Sequence, residues 1–456
     1  MELVYNKKRI NKEILRLMVP VVMENTLQLV AGAVLTAMVG RLLADDIAAQ
    51  GISNIVSRIF FALFRGLAIG ATVMVATAYG KGELSKCRRI IEQAYLSAIP
   101  IAIIAIALLL MFPVQILGLF TDDMNLIYLA ADFTRVAVWA LPFMAIISFN
   151  TASFNGQGDT KTPMFIAIAL NIVNIGVGLV LIFGMGSIGG LGIMGAAYAT
   201  VISQGCGAVL GLFALYRKRG PFGLISHNKS FISIDKVEAK NFFSIGLPAA
   251  MEFMFWNFSA IIMGMVLLSY GNQYYAAYQL GIQAEMLTDM PAQGFVVAAT
   301  TLAARAIGQR DAALYKIYYS QLWKMAMVVG TVSAVLLFTV PSQLMMLLTN
   351  NPELQVIGAG YVFLMGFAMI PQTLSRVYGG FIRSSGGKRV PMYISFAGIW
   401  LVRVPLVVLF GWILELDISF IWMAIIVDHF LRIAVNVIYA RRKKLSNFVE
   451  TIATEV

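Results

Sequence analysis

The chain has 456 residues, of which 59% are hydrophobic and only 12% are charged, and its formal net charge is +11. The charged share is about half of the roughly 25% that is typical of soluble domains. This composition excludes an ordinary soluble globular protein.

Apolar segments long enough to cross a bilayer recur along the whole chain. A hydrocarbon core of roughly 30 Å needs about 20 mostly apolar residues per helix. We therefore predict an all-α polytopic membrane protein with twelve transmembrane helices; no segment shows the short alternating pattern of a membrane-spanning strand. The predicted spans cover residues 15–40, 50–78, 92–119, 126–149, 163–185, 191–216, 243–269, 275–304, 320–348, 355–381, 390–413 and 418–440.

The basic residues are concentrated before the first span, in every second loop and after the last span. Examples are Arg88 and Arg89 between spans 2 and 3, and the run Arg441 to Lys444 at the C-terminal end. The alternate loops are mainly acidic. By the positive-inside rule we expect both termini to face the cytoplasm. We expect the protein to lie in the cytoplasmic membrane. The positive charge then faces anionic lipid, and no nucleic-acid partner is needed to explain it.

The two halves of the chain align with each other at a shift of 228 residues without a gap. Pro20 and Glu24 fall on Pro248 and Glu252, and further identities, many of them Gly or Pro, follow at the same shift. Scattered identities at one fixed shift indicate an internal duplication.

The duplication predicts two six-helix lobes. We assign the N-lobe to residues 1–219, a cytoplasmic linker to 220–240, the C-lobe to 241–441 and a cytoplasmic tail to 442–456. Because each lobe has an even number of spans, the lobes should be related by a pseudo-twofold axis along the membrane normal. Parallel repeats of this kind are a transporter architecture, with the substrate between the halves and alternating access by rocking.

Several ordered motifs indicate a particular transporter family. They are M-V-G-R-L-L-A-D-D-I-A-A at residues 38–49, G-Q-G-D-T-K-T-P-M at 156–164, M-P-A-Q-G at 290–294, R-S-S-G-G-K-R-V-P at 383–391 and L-V-R-V-P-L at 401–406. With these motifs the chain resembles the multidrug and toxic compound extrusion (MATE) family, and more closely its DinF-like and MepA-like bacterial branches. The resemblance implies an antiporter that uses an H⁺ or Na⁺ gradient to export small organic, often cationic compounds.

The chain departs from the family where members often carry cation-binding Asp residues. The position in span 1 is Leu35 and the position in span 5 is Gly178. The usual acidic site of the N-lobe is therefore absent, and the coupling residues of the family cannot be transferred to this chain.

Four carboxylates lie within predicted spans, where a charge costs about 2.5–3.5 kcal/mol on insertion scales. Glu24 and Glu252 are repeat mates, and as facing carboxylates they would bind a cation or share a proton. Glu285 and Asp289 are four residues apart and therefore lie on one face of span 8. We predict coupling or substrate-binding roles for all four. The alternative for each is a structural ion pair with an arginine.

Arginines and uncharged polar residues complete the candidate site. Arg58, Arg65 and Arg376 are candidate gate or cavity residues, and a bridge from Arg58 to Glu285 across the lobes would act as a gate latch. His429, next to Asp428, is either a proton relay or a structural hydrogen-bonding partner. The candidate polar lining consists of Gln28, Tyr278, Gln283, Asn150, Asn171 and Asn174.

Two other functions compete with antiport. Inward-facing arginines favour a flippase of the same superfamily with a lipid-linked or anionic amphipathic substrate. A membrane-embedded enzyme would need a nucleophile with a base or a metal cluster, and with two histidines and no H-E-x-x-H motif the sequence indicates neither. We expect no metal and no cofactor beyond H⁺ or Na⁺ as coupling ion. The expected partners are a small-molecule substrate and the lipid bilayer, and we expect a monomer.

Overall fold

The structure, a computed structural model, describes residues 6–42, 44–185, 188–217, 220–223 and 235–450. The α-helices are α1 (Lys7–Val39), α2 (Ala44–Gly80), α3 (Leu84–Met111), α4 (Pro113–Leu117), α5 (Met124–Ala137), α6 (Leu141–Gln157), α7 (Lys161–Phe183), α8 (Ile193–Tyr216), α9 (Lys236–Tyr270), α10 (Asn272–Gln309), α11 (Ala312–Thr339), α12 (Pro341–Met346), α13 (Pro352–Ser384), α14 (Val390–Phe396), α15 (Val404–Val408) and α16 (Ile418–Arg442).

Short elements connect or interrupt these helices. Two 3₁₀ turns are Val138–Ala140 and Leu445–Asn447, and two π-helical segments are Ala397–Arg403 and Leu409–Ile413. A small antiparallel hairpin pairs β1 (Gly184–Met185) with β2 (Ile188–Gly189).

The predicted all-α polytopic fold is confirmed. Among the described residues, eleven helical segments are long and apolar enough to cross a membrane. The predicted eighth span lies within α10, which has 38 residues and is long enough to cross but contains no stretch apolar enough to be counted among these eleven. Its polarity comes partly from Glu285 and Asp289, the two carboxylates singled out from the sequence.

Repeat-related helices start with equivalent caps. Asp123 accepts hydrogen bonds from the first backbone N–H groups of α5, and Asn351 does the same for α13. These two residues coincide under the 228-residue shift of the sequence. A side-chain oxygen at this position satisfies backbone donors that the helix itself leaves free. The duplication is thus visible in local structure as well as in sequence.

The described residues pack into two units. The N-unit lies within Met23–Ala250, and the C-unit lies within Met1–Val22 together with Met251–Val456. Two helices, α1 and α9, therefore each contribute to both units. The lobes predicted from the repeat assign each of these helices whole, and that partition stays a prediction. Residues 224–234 of the predicted linker and 451–456 of the predicted tail lie outside the described residues.

The exchanged helix ends are part of the core of the unit they join. In the C-unit, Ile14 and Leu17 of α1 are buried against Phe295 and Leu302 of α10. In the N-unit, α9 approaches α2 so closely that a Cβ atom at Gly66 would overlap the backbone of α9. Small residues allow this close packing, which stabilises helix association where lipid removes the usual hydrophobic drive.

Candidate functional site

The C-unit contains a network of charged side chains on its long apolar helices. An unpaired charge within a membrane-spanning helix is costly. The partner of each charged group therefore indicates what that group can do. The carboxylates are Glu252, Glu285, Asp289 and Asp428, and the guanidinium groups are Arg376, Arg383, Arg403 and Arg432.

Asp289 is held in a bidentate ion pair. Arg376 of α13 donates to its two oxygen atoms at 2.5 and 2.7 Å. The side-chain amides of Gln293 and Gln372 also donate to it, at 3.0 and 3.3 Å. Asp289 is only 7% exposed. Fork-to-carboxylate geometry is the strongest common form of such pairs, so the charges of Asp289 and Arg376 neutralise each other inside the C-unit.

Glu285, one helical turn before Asp289, has a different environment. The Tyr361 hydroxyl donates a hydrogen bond to its Oε2 atom at 2.7 Å. The Tyr361 ring packs edge-on against Tyr278, with 5.2 Å between centroids. In the described part of the chain, no Lys, Arg or His nitrogen lies within the 4.0 Å salt-bridge distance of the Glu285 carboxylate. A carboxylate that forms a hydrogen bond with a neutral phenol and no salt bridge among the described residues can take up a proton or a metal cation without first breaking an ion pair.

Asp428 of α16 is fully buried and receives two arginines. Arg403 approaches it to 2.6 Å, and Arg432 binds both of its oxygens at 2.7 and 2.5 Å. The Arg403 side chain also lies 3.3 Å from His429 Nε2. His429 therefore contacts an arginine beside the carboxylate, and its predicted role, relay or structural partner, stays open.

Glu252 of α9 pairs with Arg383 of α13 at 2.8 Å. Its second oxygen, Oε1, is buried and has no hydrogen-bond partner among the described residues. The predicted pairing of Glu252 with its repeat mate Glu24 joins residues of different units and stays a prediction.

The candidate residues of α1 and α2 in the N-unit are Glu24, Gln28, Arg58 and Arg65. Glu24 is half-buried and interacts electrostatically with Arg65 of α2. Arg58 is exposed and forms no salt bridge within the described residues, and Gln28 is exposed as well. The latch between Arg58 and Glu285 would join the two units and stays a prediction.

The positions of the absent family acids are apolar in the structure. A Cβ atom at Gly178 would lie 3.4 Å from both Leu35 Cδ1 and Met38 Cε. Met38 and Gly178 are buried. The surroundings of Leu35 therefore offer hydrocarbon contacts in place of the oxygen ligands that a cation prefers.

The remaining predicted polar residues have mixed environments. Asn150 is 2% exposed and hydrogen-bonds to α3 and α8, and Asn174 donates to Ser203 at 2.8 Å. These bonds tie helices together. Asn171 has a buried Nδ2 atom without a partner among the described residues, and Gln283 is exposed.

Sequence reasoning did not single out three members of the network. Tyr361 looks like any aromatic residue of an apolar helix, and Arg383 looks like part of a cytoplasmic loop. Arg432 did have a usable signal, because it lies four residues after Asp428, the spacing at which helical side chains pair.

Within the described parts of the chain, no group of three His, Cys, Asp or Glu side chains is arranged to hold a metal ion. The expectation that the protein needs no metal and no cofactor stays a prediction.

Comparison with known proteins gives a match over most of the chain. The MatE family model matches residues 20–180 and again residues 248–409. The two matches begin at Pro20 and Pro248, the prolines that coincide in the internal alignment.

Individual relatives and solved structures agree with this match. The chain is 27% identical over 433 residues to the probable multidrug resistance protein NorM of Thermotoga maritima, covering 94% of this chain and 92% of the relative. It is 26% identical to the probable multidrug resistance protein YoeA of Bacillus subtilis, covering 89% and 88%. A solved MOP superfamily transporter from Pyrococcus furiosus superposes with a TM-score of 0.87 at 18% identity, covering 96% of each chain.

Proposed function

The chain belongs to the MatE family, and on this premise we propose that it exchanges H⁺ or Na⁺ for small organic, amphipathic cationic compounds by alternating access. The double match of the family model confirms the family predicted from the sequence motifs. The chain is accordingly a multi-pass membrane transporter of small molecules and not an enzyme. Our proposal adds the coupling, the substrate charge, a location in the cytoplasmic membrane with both termini in the cytoplasm, and action as a monomer.

The environment of Glu285 is the observation that carries the proposal of coupling. A coupling group must gain and lose its cation in each cycle. Breaking a buried ion pair by removing one partner costs about 3–5 kcal/mol, so Asp289 in its pair with Arg376 is poorly suited to that task. Glu285 has a hydroxyl donor instead of a guanidinium. Intramembrane carboxylates of this kind mark proton and ion pathways in carriers.

The apolar surroundings of Leu35 and Gly178 support the same conclusion from the other unit. With hydrocarbon at both positions of the usual N-lobe acids, a cation that drives transport needs a site elsewhere. The C-unit supplies one in Glu285.

The test is transport by purified protein in liposomes under an imposed pH or Na⁺ gradient. Wild type should drive uptake of a fluorescent organic cation under at least one of the two gradients. Glu285→Gln should lose the stimulation by the gradient, because the amide binds neither H⁺ nor Na⁺ as the carboxylate does. Glu353→Gln, in the exposed first turn of α13, is the matched control and should behave as wild type.

Full gradient-driven transport by Glu285→Gln would refute the assignment of the coupling site. Absence of transport under both gradients would refute the proposal of antiport as a whole.

A second candidate is a flippase or carrier for a lipid-linked or anionic amphipathic substrate. The observation in its favour is Arg58, an exposed arginine of α2 without a salt bridge among the described residues. The Pyrococcus furiosus relative is a transporter whose reverse polarity of the binding pocket suggests a different function. Scrambling of a fluorescent lipid-linked precursor in the same liposomes, reduced by Arg58→Gln, would favour this candidate. Uptake of the organic cation alone would contradict it.

A further inference from the structure

The charges of the C-unit network are distributed unevenly over its carboxylates. Asp289 forms a salt bridge with Arg376, and Glu252 forms one with Arg383. Asp428 forms salt bridges with two arginines, and Glu285 forms none among the described residues. Four guanidinium groups thus pair with three carboxylates, and the fourth carboxylate, Glu285, forms no salt bridge among the described residues.

Arg403 interacts with a second carboxylate, Glu285, besides the one that it pairs with. It binds Asp428 at 2.6 Å, yet it also interacts electrostatically with Glu285 and with Tyr361. Its Nε atom is buried without a hydrogen-bond partner among the described residues. The guanidinium is therefore only partly satisfied by its present contacts and lies within electrostatic range of Glu285.

The backbone around Arg403 is also unusual. Arg403 ends the π-helical segment Ala397–Arg403, and Pro405 follows two residues later. π-helical turns are rare and occur frequently at functional sites. They aim a side chain differently from a regular helix, because each adds a residue to the turn.

The binding of two arginines by Asp428 depends on a glycine of the same segment. A Cβ atom at Gly398 would overlap Asp428 Oδ1 and would lie 2.7 Å from Arg432 Cγ. Only a residue without a side chain allows α16 to place this carboxylate so close to the π-helical segment.

We propose that Asp428 is a positioning residue for Glu285: by holding Arg403, it keeps Glu285 without a counter-ion and therefore open to the coupling cation. The link to coupling rests on the proposed function. The link between Asp428, Arg403 and the protonation of Glu285 does not, and it is measurable without any substrate.

Several charged or titratable groups around Glu285 influence its protonation. On α10 itself these are Asp289 and Tyr278. On α13 they are Tyr361 and Arg376, and on the π-helical segment Arg403. From α11, Ser333 donates to the Thr288 carbonyl at 2.8 Å, a neutral contact. Arg376 is bound to Asp289, which leaves Arg403 as the cation whose release would change the charge facing Glu285.

The experiment measures the protonation of Glu285 by chemical labelling. Dicyclohexylcarbodiimide adds to protonated carboxyl groups in apolar surroundings, and peptide mass spectrometry reports the labelled fraction of Glu285 against pH. In Asp428→Asn, the freed Arg403 should turn to Glu285 and stabilise its ionised form. The labelling midpoint should then fall by about 1–3 pH units, the size of the effect of a nearby opposite charge.

Two double variants distinguish the arginines. Asp428→Asn with Arg403→Gln should return the midpoint to within about half a unit of wild type, which is small against the 1–3 units expected for a nearby charge. Asp428→Asn with Arg432→Gln is the matched control and should keep the lowered midpoint, because Arg403 is still free. An unchanged midpoint in Asp428→Asn, or equal rescue by both second substitutions, would overturn the proposal.

A third variant tests the same idea with all charges retained. Gly398→Ala should displace Asp428 from Arg403 and lower the Glu285 midpoint in the same direction. If Asp428→Asn fails to fold, this variant decides, and an unshifted midpoint in it would overturn the proposal.

The outcome also separates this proposal from that of antiport. A lowered midpoint in Asp428→Asn together with full gradient-driven transport by Glu285→Gln would leave the positioning role standing and remove the coupling role of Glu285. An unshifted midpoint with loss of coupling in Glu285→Gln would give the reverse result.

Discussion

Arg376→Gln should destabilise the protein strongly, because it leaves the buried carboxylate of Asp289 without its cation. The side chains of this pair are only 17% and 10% exposed. After the substitution, Asp289 would retain the amide donors of Gln293 and Gln372 at 3.0 and 3.3 Å, which supply no charge. Removing one partner of a buried pair costs about 3–5 kcal/mol.

The double variant Arg376→Gln with Asp289→Asn should cost much less than either single one. It removes both charges and leaves neutral amides that can still hydrogen-bond, for which a net loss of about 1 kcal/mol is typical. The single effects should therefore not add. The measurement is reversible unfolding by sodium dodecyl sulfate in mixed micelles, followed by circular dichroism.

Arg135→Gln provides the matched control. Arg135 pairs with Asp132 at 2.8 Å, a similar distance, but the two side chains are 49% and 58% exposed. Exposed pairs typically contribute about 0–1 kcal/mol. Equal effects of Arg376→Gln and Arg135→Gln, or additive effects in the double variant, would refute the reasoning that burial decides the cost.

Tyr361→Phe removes the hydroxyl that donates to Glu285 at 2.7 Å, so the carbodiimide-labelling midpoint of Glu285 should rise by about one pH unit; an unchanged or lowered midpoint would contradict this. Gly66→Val forces a side chain into the backbone of α9 and should lower the unfolding free energy by about 1–3 kcal/mol, whereas wild-type unfolding would show that the contact gives way. The backbone N–H and hydroxyl of Ser419 hold the pKa of Asp417 below its usual range, so this cap stabilises α16 above about pH 4 and loses its effect as pH falls through the lowered pKa. Asp417→Ala should therefore cost about 1 kcal/mol at pH 7 and almost nothing at low pH in unfolding experiments, and a pH-independent cost would speak against the cap.

The sequence was sufficient for the membrane fold and the family. Apolar length is a local property, and a bilayer accepts only segments that satisfy their backbone internally, so hydropathy alone predicts where helices cross. The 228-residue repeat and the ordered motifs are also properties of the linear chain. The one predicted span that is not among the eleven apolar segments of the described residues, α10, contains Glu285 and Asp289, two polar residues that the sequence had already marked.

The partners of the charged residues were decided only by the tertiary structure. From the sequence, the alternative role of Asp289 was an ion pair with an arginine, and several arginines were available as partners. The rotation of α10 and α13 about their axes brings together Asp289 and Arg376, which are 87 residues apart in the chain.

The same packing joined Glu252 to Arg383 across 131 residues and directed Arg403 to Asp428. It also divided α1 and α9 between the two units, which no repeat boundary predicts. Hydropathy places a residue in the membrane, but only the rotation and contacts of neighbouring helices determine which charge it meets there. For that reason the sequence identified four candidate carboxylates, and the structure alone showed that Glu252 and Asp289 form ion pairs whereas Glu285, in the same unit, forms none among the described residues.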